Sequence, residues 1–441
     1  MDYFDLIIAP FYFFLIVGVF YIFLVNPSRD PLVKRYFMPG LLIKMTSAII
    51  FGLIYQFYYQ GGDSFVYFRD SLVITKGLLS EPLLVLKLFF IKAKTYDPTL
   101  EIYIQKLAFY KDPTSFFVAK IASVINLFTF STYSCSALIF AIVSYSGSWA
   151  LFKILCKMYP ELHKSFFFAT ACAPSLVFWS SSIMKDTITL FALCWLIVAV
   201  YRLIVLREFM IKNTLIMFAA CYILFTVKVY ILICVLPALM IWCVVHYNTK
   251  IRNIIIRTIL KPVLLIVAVV IGISGTSILV KSDTKYSFDK IVATSKVTAD
   301  WIEKASSSSG GSTYNIGTLD FNPENFIPLF FKSVIVSLYR PFIWEVRNPI
   351  MLLSSLEALL YLYLTIVMFY KVGIFRLWPI VLGNPFVLFA LIFTIAFAFA
   401  IGISTNNFGT LVRYKIPFIP LFLSALFIII HEGRVKKLPR S

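Results

Sequence analysis

Apolar stretches long enough to cross about 30 Å of hydrocarbon as helices recur along this chain, and nothing else about it constrains the fold as strongly. They run at about Phe4–Val25, Met38–Tyr58, Tyr133–Cys156, Ser165–Ser180, Thr187–Leu206, Thr214–Val227, Tyr230–Val245, Pro262–Val280, Pro349–Tyr370, Asn384–Ser404 and Tyr414–Ile430. The stretches beginning at Ser165 and Thr214 are the short ones. A crossing segment has no water with which to satisfy its backbone, and a helix satisfies it within one segment. Strands of a membrane barrel would alternate apolar and polar residues, and these runs do not. The expected fold is therefore all-α: a polytopic transmembrane protein with about eleven spans, forming one integral membrane domain over residues 1–441 and having the lipid bilayer as its first partner.

Composition agrees. The chain is 60% hydrophobic and only 14% charged, whereas a soluble domain is roughly half apolar and about a quarter charged. The formal charge of +19 would point to nucleic acid in a soluble protein. Here the basic residues sit between spans, so no nucleic-acid partner is expected. The seven cysteines all fall in or beside apolar runs with no CxxC pair, which reads as buried small side chains and not a disulfide framework. The first run lacks a basic leader and a small-residue cleavage site, so it is read as a retained helix.

Lys and Arg accumulate in cytoplasmic connections. With the N-terminus outside and the C-terminus in the cytoplasm, the inner segments hold Arg29, Lys34, Arg35, Lys153, Lys157, Lys164, Arg202, Arg207, Lys212, Lys250, Arg252, Arg257, Lys261, Lys371, Arg376, Arg434, Lys436, Lys437 and Arg440. Only Asp30, Glu161, Glu208 and Glu432 oppose them. Two long outer loops remain, about 60–132 and 281–348. Each has eight basic residues, against six and seven acids. In the first, Pro82–Ile91 and Ser115–Phe130 are apolar with scattered lysines and are expected to lie as interfacial helices. In the second, Ser306–Ser312 reads as a flexible linker, and Asn325–Leu338 as another interfacial or re-entrant segment.

Four outer-face motifs could carry chemistry. Gly61-Gly62-Asp63-Ser64, followed by Tyr67, sits where the second span emerges. The glycines permit an unusual backbone and close ligand approach, and a partly desolvated Asp63 would be strengthened as a base. The same residues also suit an ordinary turn. Phe178-Trp179-Ser180-Ser181-Ser182 leads to Lys185-Asp186 at a tight hairpin, where Asp186 equally suits the positive end of a helix. Arg340-Pro341-Phe342-Ile343-Trp344-Glu345-Val346-Arg347 precedes a span. Guanidinium groups match phosphate oxygens in pairs, but aromatics and Arg also form interfacial belts. Arg413 and Lys415, at the next outer hairpin, pose the same choice. Glu357 is the one acid near the middle of a span, a costly position that marks either function or a paired structural carboxyl. Lys44 and Lys228 lie near span ends and can snorkel. The three histidines map to the cytoplasmic side, which argues against a His-based centre outside.

The layout, together with Gly62 to Tyr67, Pro174 to Asp186 and Arg413 to Pro417, resembles the GT-C superfamily of polytopic membrane glycosyltransferases. Similar stretches look typical of bacterial membrane proteins of surface-polysaccharide pathways. The resemblance implies a polyprenyl-phosphate or polyprenyl-diphosphate sugar as donor, a lipid-linked or surface glycan as acceptor, and a multi-pass place in the bacterial inner membrane. It implies that Asp63 matches the family's first-loop acid, which serves as general base or helps hold a divalent cation (Mg or Mn) at the donor phosphate. Many members carry two adjacent acids there, and this chain has Ser64 in the second place. Lys185, Arg340, Arg347, Arg413 and Lys415 would bind phosphate, with Tyr67, Asp186, Glu345 and Glu357 as further candidates. An O-antigen-like polysaccharide polymerase and a lipid-linked glycan flippase or transporter are the alternative readings.

Overall fold

The computed structural model describes residues 3–91, 93–248, 297, 314 and 323–435. Among these residues the chain forms helices and no strand. The expected span at Pro262–Val280 and most of the second outer loop lie outside them.

The chain enters with α1 (Phe4–Val25) and α2 (Val33–Tyr58). Four shorter helices follow: α3 (Asp63–Ser80), α4 (Pro82–Phe90), α5 (Glu101–Ile104) and α6 (Pro113–Asn126). Next come α7 (Tyr133–Met158), α8 (His163–Phe167), α9 (Pro174–Trp179), α10 (Lys185–Leu206) and α11 (Met210–Asn248). The last part contains α12 (Pro323–Tyr339), α13 (Pro349–Val372), α14 (Ile374–Gly383), α15 (Pro385–Ser404), α16 (Phe408–Tyr414) and α17 (Ile419–Val435). Several starts share one device, an Asx residue before proline. Asp112, Asn348 and Asn384 each accept a backbone N–H of the first turn, and the following proline fills a position whose N–H has no helical partner.

Seven of the described helices are long and apolar enough to cross a membrane, or eight if the bent pair α16–α17, with 68° between its members, makes one span. Of the eleven expected, Pro262–Val280 lies outside the described residues, and the rest of the difference has local causes. The runs expected at Thr214–Val227 and Tyr230–Val245 are joined in α11, broken only by the non-helical Lys228. The chain reverses there. Met210 follows Leu206 at the far end of α10, Lys228 bonds Asp186 at the near end, and Trp242 returns to Tyr201, ring centres 6.1 Å apart. The run Ser165–Ser180 is split between α8 and α9 by the extended Ala173 before Pro174, as the residue preceding proline avoids helical angles.

Contacts sort the connections into two ends. At one, Lys153 pairs with Asp30 at 2.8 Å, Lys157 with Glu208 at 3.5 Å, and the Tyr159 hydroxyl donates to Glu432 at 2.6 Å. At the other, Asp5 accepts the Ser134 N–H at 3.0 Å, and α3 and α6 cover the entrances to α7 and α10. The segment read as a long first loop is thus largely helical. Asp70 of α3 anchors it by accepting the N–H groups of Ala108 and Phe109 at 3.0 and 2.8 Å, and α3, α4 and α6 share a small apolar core of Ile74, Val85, Leu88 and Phe116.

α7 and α10 approach closely at Gly147, where a Cβ would stand 2.9 Å from the Phe191 carbonyl oxygen. Backbone does not yield as a side-chain tip does, so overpacking here costs about 1–3 kcal/mol. Gly147→Leu should therefore lower the thermal unfolding midpoint of the detergent-solubilised protein. An unchanged midpoint would mean that the two helices separate freely.

Candidate functional site

The start of α10 places Asp186 inside the bundle, with 1% of its side chain exposed. A carboxylate so placed requires partners. It accepts the Lys228 ammonium at the reversal of α11, and Arg413 Nε at 2.6 Å from α16. Arg413 then reaches outward, and its Nη1 donates to Asp63 Oδ2 at 3.1 Å. The Asp63 side chain is 51% exposed. Four charges from α3, α10, α11 and α16 thus form one chain, graded from open rim to sealed interior.

Asp63 owes its position to the two glycines before it. Gly61 and Gly62 have φ of 146° and 136°, and a Cβ on Gly62 would stand 2.6 Å from the Tyr55 ring. Only glycine meets both conditions. Ser64 secures the next residue, with its hydroxyl 2.7 Å from the Tyr133 hydroxyl and 3.1 Å from Ser182 Oγ. It therefore ties the start of α3 to the bundle and supplies no second acid.

Lys185, beside Asp186 in sequence, donates to Asp112 Oδ2 at 3.1 Å and Thr114 Oγ1 at 2.5 Å. Burial alone would raise the Asp112 pKa. The neighbouring Lys185 ammonium and the hydrogen bonds from Ser115, Lys185 and Thr114 outweigh it and bring the carboxyl down to about 2. Tyr67 is buried beneath Asp63, its hydroxyl 3.5 Å from Ser115 Oγ, and desolvation raises its pKa, so it stays a neutral phenol.

Of the residues singled out in the sequence, Asp63, Tyr67, Lys185, Asp186 and Arg413 come together. The others have different places. Arg340 is committed to Glu345, donating through Nε at 3.0 Å and through Nη2, and its guanidinium lies over the Phe408 ring at 5.0 Å. Lys415 is fully buried, donates to the Arg340 carbonyl at 3.4 Å and lies over the Tyr361 ring. Glu357 accepts the Ser175 N–H at 3.0 Å, the Ser175 hydroxyl and the Tyr361 hydroxyl, which makes it a satisfied internal carboxyl. Arg347 is exposed and makes no side-chain hydrogen bond or ion pair among the described residues.

Two lysines treated as snorkelling are not. Lys44 is buried with its ammonium on Ser180 Oγ at 2.5 Å, and Lys228 anchors the centre. The shortness of the run Thr214–Val227 was the available signal, since a lysine at the joint between a short span and the next one lies at a chain reversal. Ser180 and Ser181 bond carbonyls one turn back, so the serine cluster is structural.

A divalent cation does not fit here. The Arg413 guanidinium stands between the Asp63 and Asp186 carboxylates, where an ion would have to sit. Among the described residues no group of three or more His, Cys, Asp or Glu converges as a ligand set.

Removing one member of a buried ion pair costs about 3–5 kcal/mol, because the other charge is left behind. Lys228→Met should therefore destabilise the protein strongly, and Lys228→Met with Asp186→Asn should recover part of the loss in thermal unfolding. A harmless single variant would show that Asp186 has no need of Lys228. Asp112 makes a separate prediction. Its folded pKa of about 2 lies below the unfolded value, roughly 3.9. Its stabilising effect is complete above about pH 4 and is lost as pH falls toward 2. Asp112→Asn should flatten the midpoint-versus-pH curve in that window and leave its shape elsewhere. No family model, curated protein or solved structure matches this chain.

Proposed function

We propose that this chain is a GT-C-like membrane glycosyltransferase of the bacterial inner membrane, transferring a sugar from a polyprenyl-phosphate or polyprenyl-diphosphate donor to a lipid-linked or surface glycan acceptor on the outer side. The carrying observation is the exposed Asp63 carboxylate, held 3.1 Å from a guanidinium whose other edge is fixed to buried Asp186. The proposed orientation has the N-terminus outside and the C-terminus in the cytoplasm. It is supported by the gathering of Lys153, Lys157 and the other basic short connections at the opposite end of the bundle from Asp63.

The donor enters sideways from the bilayer, and its phosphate oxygens accept hydrogen bonds from Arg413, with Lys185 adding positive charge beside them. Phosphate competes with Asp63 for Arg413 Nη1, so donor binding frees the carboxylate. The acceptor hydroxyl oxygen attacks the anomeric carbon and its proton passes to Asp63. The anomeric C–O bond breaks, and its electron pair stays on the phosphate oxygen, stabilised by the cations already facing it. Arg340, Arg347 and Lys415 have no part in this step.

A flippase or transporter is the second reading, favoured by the charged groups buried deeper in the bundle, namely Lys44, Glu357 and Lys415. Location of the accumulating intermediate separates the two. A missing transferase leaves lipid-linked sugar on the outer leaflet, whereas a missing flippase leaves it inside.

Asp63→Asn keeps the size of the side chain and the contact to Arg413, so the protein should retain its wild-type unfolding midpoint. In a deletion strain complemented with this variant, the lipid-linked donor should accumulate and sugar transfer should fall at least a hundredfold, within the range of a lost general base, about 10²–10⁴. Wild-type transfer by the variant would remove Asp63 from the chemistry.

A further inference from the structure

At the end of the bundle remote from Asp63, a groove of about 480 Å³ opens between α1, α2, α7 and α10. Its apolar wall is built from Phe20, Leu24, Phe37, Leu41, Trp149 and Trp195. Lys153, Lys157, Arg202 and Glu208 stand among the lining residues, and they belong to the basic end of the bundle. Lys153 pairs with Asp30 and Lys157 with Glu208, both pairs partly exposed. Arg202 has no side-chain hydrogen bond or ion pair among the described residues. The groove therefore carries one cation in excess, on a guanidinium free to bond.

We infer that this groove binds an anionic phospholipid, acyl chains against the aromatic wall and phosphate on Arg202, with Lys157 as second cation once Glu208 is displaced. A neutral or zwitterionic lipid would fill the apolar part as well but would leave Arg202 unmatched. A free phosphate would find the cations and have nothing to place against Trp149 and Trp195. Basic recesses between membrane helices are suited to such head groups.

The test uses the full chain in detergent, titrated with phosphatidylglycerol, phosphatidylcholine or glycerol phosphate and read by native mass spectrometry. One phosphatidylglycerol should be retained at least tenfold more tightly than phosphatidylcholine, and glycerol phosphate should not compete. Arg202→Gln, alone and with Lys157→Gln, should reduce phosphatidylglycerol retention to the phosphatidylcholine level while leaving the unfolding midpoint in phosphatidylcholine unchanged. Arg202 has no internal partner to lose, so the single variant should fold. Equal retention of the two lipids by the wild type, an undiminished preference in the folded variants, or full competition by glycerol phosphate would each overturn the assignment. None of these outcomes bears on sugar transfer at Asp63.

Discussion

A carboxylate sealed within an apolar helical bundle loses several kcal/mol of hydration that only close, opposite charge can replace. Asp186 is such a group, and the way it is satisfied shapes much of the molecule. Lys228 must reach it, which places the reversal of α11 against the head of α10. Arg413 must reach it too, which turns the short α16 inward before the chain bends into α17. Asp63 is then collected by the remaining face of the same guanidinium. Elements more than two hundred residues apart in sequence are thereby registered at one point without a disulfide; the seven cysteines are all free.

This arrangement explains how one end of a membrane bundle can present an exposed carboxylate and a fixed guanidinium side by side. The interior pair holds Arg413 in direction, and the glycine turn at Gly61-Gly62 delivers Asp63 to it. Only the outer part of the chain of charges is open to exchange with a ligand. The inner part is paired too deeply to be drawn away by a phosphate.

Much of the architecture was legible in the sequence, because lipid imposes a simple rule on composition. The apolar runs marked the helices, and the asymmetry of Lys and Arg marked the two ends. The break before α9 went unread, although Pro174 within the run Ser165–Ser180 was the signal for it. The helix α3 escaped notice because its first turn, Asp63-Ser64, follows a glycine pair that reads as loop, and because its burial is against α6 and not against lipid. Asp63, Lys185, Asp186 and Arg413 were legible as charged residues at turns and hairpins on one face of the membrane. Their pairing was not, since partner choice depends on which helix ends meet. Arg340 and Arg413 look alike in sequence, yet one is bound by Glu345, five residues on, and the other by acids from two distant helices.

Lys185 is anchored on the residue that also caps α6. Asp112 accepts the Thr114 N–H that starts that helix and the Lys185 ammonium at the head of α10. The two roles share one carboxylate, so this contact is a latch between the cover formed by α3 to α6 and the bundle under it. On the proposed reading, an anion that draws Lys185 toward Arg413 gives up this one tie, while the Ser64 contacts to Tyr133 and Ser182 go on holding the start of α3 to the bundle.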